Sequence, residues 1–216
     1  MLNRWLLALV GVLALSATTV AKAAYEDDLH ALQERWAVAR YQASGDEQKK
    51  QLEKLVQDAD ALIASHGDRA DSYIWAAVIR GSLAEMANDL SALGTVKQAR
   101  GNLEKALALD PQAEDGYAYG VLGLMYSKVP GWPVAFGDKK KAKELLLKGI
   151  AIAPNGMNTN YFYAQFLFEQ DEYRQARTYI DKALKASAPQ AGQSAVVTNR
   201  MREIRELSDK INARLK

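Results

Sequence analysis

The chain has 216 residues, 49% hydrophobic and 25% charged, which is ordinary globular usage and excludes a wholly disordered or collagen-like protein. It has no cysteine and two histidines. That excludes disulfides, thiolate metal sites, cysteine nucleophiles and a lipid-modified N-terminal cysteine, and leaves little for histidine-based catalysis.

Lys and Arg number 28 against 26 Asp and Glu, and the excess, Arg4 and Lys22, lies within the first 23 residues. The neutral remainder has an overall balance that steers it to neither nucleic acid nor anionic membrane. Residues 1–23 read as a secretory signal: Arg4 is the positive start, Trp5 to Leu15 the apolar stretch, and Ala21-Lys22-Ala23 the small-residue cleavage site. The apolar stretch is shorter than the roughly 20 residues that a spanning helix needs. A soluble, exported chain, periplasmic or secreted, is expected from residue 24 on, with no membrane span after cleavage.

Helices are predicted throughout. Tyr25 to Tyr41 carries Leu29, Leu32, Trp36 and Ala39 at helical spacing, with Glu26, Asp27 and Asp28 at the positive end of the dipole. Gly45 breaks it, and Glu47 to Ser65 carries Leu52, Leu55, Val56, Ala59, Leu62 and Ile63. These two form a degenerate first pair over 24–69.

A repeat follows. Ala99, Leu103, Ala106 and Pro111 recur as Ala142, Leu146, Gly149 and Pro154, and as Ala176, Ile180, Ala183 and Ala188-Pro189, the last two copies 34 residues apart. That is the tetratricopeptide period. The first-helix signature is complete in Tyr119, Leu122, Gly123 and Tyr126, weaker in Asn160, Tyr163, Ala164 and Leu167, and loose in Tyr73, Ala76, Ala77 and Arg80. A competing frame, Leu83, Met86, Ala87 and Leu90, leaves the register of residues 70–98 open. Units are expected at 70–113, 114–156 and 157–189. A capping helix is expected over 190–216, with Val197, Met201, Ile204, Leu207, Ile211 and Leu215 inside and Arg200, Arg202, Arg205, Lys210 and Arg214 around them. The fold class is an all-α solenoid of tetratricopeptide-like helical hairpins with flanking helices.

Two stretches depart from the plain repeat. Tyr126 to Ala142 is lengthened by a loop rich in Pro and Gly that holds Trp132 and Phe136, with Asp138 as N-cap of the next helix. Its rings either contact a ligand or partner, or fold back on their own helices. Pro154 to Tyr163 combines an Asn155-Gly156 turn with a cap at Asn158 or Thr159, then Asn160 and three aromatics.

In a helix-pair solenoid the first helices line the concave face. The positions pointing there are Tyr117, Gly120, Leu124, Ser127 and Lys128 in one unit, Asn158, Tyr161, Gln165, Phe168 and Glu169 in the next, and Asp71, Ile74 and Val78 in the first. The candidate partner- or ligand-binding set is Tyr117, Leu124, Lys128, Trp132, Phe136, Asn158, Asn160, Tyr161 and Gln165. Its mix of rings and amides suits an apolar segment or solute with some hydrogen bonding.

No catalytic or metal constellation is visible: His30 and His66 lack ligand-spaced partners, and Glu114-Asp115 falls at a predicted helix start, where dipole compensation explains it. Lys139-Lys140-Lys141 opens a helix against its dipole and is either a contact for an anion or a solvated charge run. No cofactor and no enzymatic activity are expected.

Arg80-Gly-Ser-Leu-Ala-Glu85, Val129-Pro-Gly-Trp-Pro-Val-Ala-Phe-Gly-Asp138 and Pro154-Asn-Gly-Met-Asn-Thr-Asn-Tyr-Phe-Tyr163 give the chain a resemblance to the T-component family of TRAP-type transporters. The resemblance implies a helical-repeat fold with a central channel, self-assembly, and the handing of an apolar or organic-acid-like solute to a periplasmic solute-binding protein. The missing cysteine departs from lipid-anchored members. Two other roles remain open: a periplasmic carrier of a small apolar or organic-acid ligand, and an envelope assembly scaffold unrelated to transport.

Overall fold

Small residues at helix crossings decide which helices pair. The computed structural model describes residues 3–87, 91–186 and 194–216, with side chains from residue 22 onward except that of Ser91. The described residues form α1 (Asn3–Tyr41), α2 (Gly45–Ser65), α3 (Ala70–Ala84), α4 (Ser91–Leu109), α5 (Ala113–Lys128), α6 (Lys139–Ile152), α7 (Met157–Glu169), α8 (Tyr173–Ala186) and α9 (Ala195–Arg214). No strand occurs among them, and one isolated bridge joins Gly131 to Gly137.

Helices pair as hairpins α1–α2, α3–α4, α5–α6 and α7–α8, and each hairpin stacks on the next. The repeat positions form the seams: Ala99, Leu103, Ala106, Ala142, Ala176, Ile180 and Ala183 are fully buried, and Leu146 nearly so. Gly123 shows why one such position must be small. A Cβ there would stand 2.6 Å from Leu146 Cγ and 3.1 Å from the Ala142 carbonyl, so α5 and α6 meet closer than any larger residue allows. The architecture is a tetratricopeptide helical-repeat fold.

Some expectations change in detail. α1 begins at Asn3 and runs unbroken past residue 23, instead of starting near Tyr25. α3 carries the Tyr73 frame and the chain turns after Ala84, so Leu83, Met86 and Ala87 end a helix instead of building one. Leu90 and Ala188-Pro189 lie outside the described residues, as do the side chains of the signal segment up to Ala21. α7 starts at Met157 with Gly156 as its N-cap residue, not Asn158 or Thr159. Asp138 caps α6 as expected, accepting from the Lys141 backbone N–H at 3.0 Å. Glu114 and Asp115 do not sit in a regular first turn: with Gly116 they take positive φ of 47°, 56° and 75°, a left-handed kink within the start of α5.

The C-terminal helix does more than cap α8. It also packs against α7 and reaches α1, so the last element returns to the first and the superhelix closes. Glu34 of α1 accepts from the Ala195 backbone N–H at 3.0 Å, placing a carboxylate at the positive end of the α9 dipole.

Candidate functional site

Each first helix contributes one ring to a ladder that crosses the concave side. Trp36 of α1 meets Trp75 of α3 at 5.4 Å, Trp75 stacks near Tyr117 of α5 at 6.4 Å, and Tyr117 meets Phe162 of α7 at 5.2 Å. Tyr41 and Tyr161 extend it at either end, 5.7 Å from Trp36 and from Phe162 respectively. Gly120 lets the last rungs close, because a Cβ there would lie 2.2 Å from the Phe162 ring. The indole N–H groups are both satisfied: Trp36 donates to Ser82 Oγ at 2.9 Å and Trp75 to Glu114 Oε1 at 2.7 Å.

Beside the ladder is a cavity of about 360 Å³, open to solvent on one side. Its walls include Trp36, Tyr41, Val78, Ser82, Val121, Leu124, Lys128, Tyr161, Phe162, Gln165, Arg200 and Glu203. The size is that of a small organic ligand or a short partner segment.

Arg200 of α9 organises the polar edge of this cavity. Its guanidinium bonds Glu203 at 2.5 Å and Tyr117 Oη at 3.1 Å, and lies over the Tyr161 and Phe162 rings at 4.7 and 5.0 Å. Tyr41 donates to the other Glu203 oxygen at 2.9 Å. One ion pair thereby joins α1, α5, α7 and α9. Burial alone would lower the Arg200 pKa, but the oxygens of Tyr117, Glu203, Tyr161 and Tyr41 outweigh it and hold the guanidinium above its ordinary value. Burial pushes the Tyr161 phenol up to about 12, with Glu203 adding to the rise and Arg200 opposing it. Tyr41 and Tyr117 rise for the same first reason. These groups stay in one protonation state across the physiological range.

Glu114 is different. Desolvation beside the Trp75 indole pushes its carboxyl up to about 7, against the Trp75 hydrogen bond, and Asp71 and Asp115 add to the rise. Its outer edge remains exposed, so protons reach it freely. The reading of Glu114 as a simple dipole-compensating residue is thus corrected: its carboxylate fixes the Trp75 indole.

Of the residues singled out from sequence, Tyr117, Leu124, Lys128, Tyr161 and Gln165 come together at this one cavity. Asn160 is fully buried and its amide donates to the Pro154 and Gly156 carbonyls at 3.0 and 2.8 Å, pinning the start of α7. Asn158 is half-buried and outside the cavity wall. The two loop rings part company. Phe136 packs edge-on against Tyr126 at 5.2 Å with the Arg100 guanidinium 4.9 Å away, whereas Trp132 is 90% exposed.

Trp36, Tyr41, Phe162, Arg200 and Glu203 were not among the sequence candidates. Arg200 was assigned to the charged outer face of the last helix, yet its side chain is only 12% exposed. Residue 200 falls three after Val197 and four before Ile204, on the rim of the apolar stripe, and a rim position does not by itself distinguish a solvated cation from an enclosed one. Among the described residues no group of three or more His, Asp or Glu could hold a metal ion, and no helix is long and apolar enough to cross a membrane.

No family model and no curated protein matches the sequence, so these comparisons give no support to the T-component resemblance. Solved structures do resemble the fold. The tetratricopeptide protein TTC0263 of Thermus thermophilus aligns with a TM-score of 0.57 at 17% identity, over 94% of this chain and 96% of that one. PilF of Pseudomonas aeruginosa aligns over 89% and 92% at 18% identity, but its TM-score of 0.34 is too low to bear on shape. What the first likeness establishes is the helical-repeat fold.

Proposed function

We propose that this chain is an exported, non-enzymatic binding protein whose closed concave face holds an apolar group of a partner or solute without altering it. The observation that carries this reading is the aromatic ladder from Trp36 to Phe162 beside the cavity that Arg200 borders. Rings presented by successive hairpins give apolar contact area, while Gln165, Lys128 and the Arg200–Glu203 pair give a polar rim. On that wall Arg200, Glu203, Tyr41 and Tyr117 hold one another in an ion pair and hydrogen bonds, an arrangement that fixes shape.

The finer role is an accessory of a TRAP-type transport system that hands a solute to a periplasmic solute-binding protein. That role rests on the sequence resemblance and on the signal segment. The cavity's volume of about 360 Å³, bordered by Arg200 and Glu203 of the returning α9, favours a small solute over a long peptide.

The test is native mass spectrometry of the exported protein, together with capture from a periplasmic extract. A Val121→Trp variant fills the cavity and serves as the control. Retention of a small apolar compound or a solute-binding protein by the native chain and not by the filled one supports the reading. Equal retention by both contradicts it.

A further inference from the structure

The loop between α5 and α6 displays a surface that the cavity reading does not use. Its course is fixed from within: the Gly137 N–H donates to Pro130 O at 2.8 Å, Asp138 N–H to Tyr126 O at 2.9 Å, and Val134 N–H to Gly131 O at 3.1 Å. With Phe136 tucked against Tyr126, the opposite turn is forced outward. Trp132 is 90% exposed and Val134 55%. From Val129 to Gly137 the loop carries no charge.

Lysines flank this apolar tip, two along the chain and one across a groove. Lys139 and Lys140 follow in the first turn of α6, and Lys97 of α4 lines one groove together with Pro133 and Val134. All three are exposed, and among the described residues none is in an ion pair. The neighbouring acids are engaged: Glu104 with Arg100, Glu144 with Lys141 and Lys148, and Asp138 as the helix cap. Lysines at a helix N-terminus oppose its dipole, so α6 gains nothing from Lys139 and Lys140. The neutral whole-chain balance conceals this local patch.

We infer that the Trp132 tip is an interfacial anchor for an anionic lipid bilayer, with the indole and Val134 at headgroup depth and Lys97, Lys139 and Lys140 on lipid phosphates. Tryptophan favours that depth because its ring is apolar and its N–H polar. Lysines beside it are drawn to the negative surface potential of the leaflet. An acidic protein surface is the weaker match. A protein hot spot sits inside a packed surround that excludes water, and here Trp132, Pro133 and Val134 are all exposed at the turn. A yielding headgroup layer receives such a convex tip without a preformed pocket. This inference is independent of the cavity's occupant.

The experiment uses the full chain as delivered by an exporting host, its N-terminus read by mass spectrometry. The protein is mixed with equimolar phosphatidylglycerol–phosphatidylcholine vesicles, with pure phosphatidylcholine vesicles as comparison, both containing brominated acyl chains. The signal is the fluorescence component that Trp132→Phe removes; Trp36 and Trp75 are buried and stay silent.

Quenching of that component on anionic vesicles is expected. Lys139→Gln and Lys140→Gln should each weaken binding about fivefold, and high salt should abolish it. Unquenched Trp132 on anionic vesicles overturns the proposal, whether the protein stays in solution or is held by its N-terminal segment. Equal quenching on phosphatidylcholine overturns the role of the lysines. Because Trp132 contacts little, its variants keep their melting temperature, so loss of quenching is not loss of fold.

Discussion

Two places in this molecule gather aromatic rings, and they treat them in opposite ways. On the concave face every ring has a partner: Trp36, Trp75, Tyr117 and Phe162 touch in series, and Arg200 lies over the end of the row. On the 129–138 loop only Phe136 finds one, and Trp132 stands in solvent. The residue types are alike; what differs is the supply of neighbours. A helix that stacks on the next hairpin brings its rings within reach of theirs, whereas a loop that leaves the stack can bury one side only.

The contrast breaks most sharply at Arg200. Arg200→Ala removes the bonds to Glu203 and Tyr117 and leaves a carboxylate without its cation. The expected loss is about 3 kcal/mol, read by urea denaturation, with α9 released from α1. Arg200→Met with Glu203→Leu should recover part of it, since removing both charges leaves neither unpaired.

Gly120→Ala comes next, at about 2 kcal/mol, because the new methyl overlaps the Phe162 ring. Phe136→Ala should cost about 1–2 kcal/mol by freeing the loop from Tyr126, and Trp132→Ala close to nothing. Equal losses for that last pair would erase the distinction between the inner and outer ring of the loop.

A smaller effect sharpens the ladder itself. Glu114 has a raised pKa in the folded protein, so the native state binds a proton that the unfolded state has released. Its contribution therefore favours folding at acidic pH and is lost as pH rises from the ordinary carboxylate range through about 7. Water access to the exposed residue limits the effect to about 1 kcal/mol. Thermal melts at pH 5.5 and 8 should show this slope in the native chain and not in Glu114→Gln.

The hairpins were legible in the sequence because their seams demand small residues at fixed spacing. Ala142 and Gly149 are small and Leu146 is large and apolar for one physical reason, the close approach of two helices with a side chain filling the space beside the crossing. The ring of the first helices was only half legible. Tyr117 and Tyr161 follow from the repeat frame, but Trp36 lies in a pair too degenerate to set a frame, and the intervals between rungs differ. Closure was not legible at all. Whether α9 meets α1 depends on the curvature accumulated over four hairpins, which no local pattern encodes. Arg200 was misplaced for that reason: a cation beside an apolar stripe is normally solvated, and here the return of α9 brings it against rings of α5 and α7. On the loop, Trp132 and Phe136 occupy equivalent-looking places among prolines and glycines, and only the backbone bonds between 130 and 137 decide which one turns in.

The central claim is that the ladder cavity, and not the loop, receives the apolar occupant. It is tested most directly by titrating a fluorescent apolar probe such as N-phenyl-1-naphthylamine into the native chain, Val121→Trp and Trp132→Ala. The account predicts saturable binding that Val121→Trp abolishes and Trp132→Ala leaves unchanged. Binding that survives the filled cavity and disappears with Trp132 would contradict it.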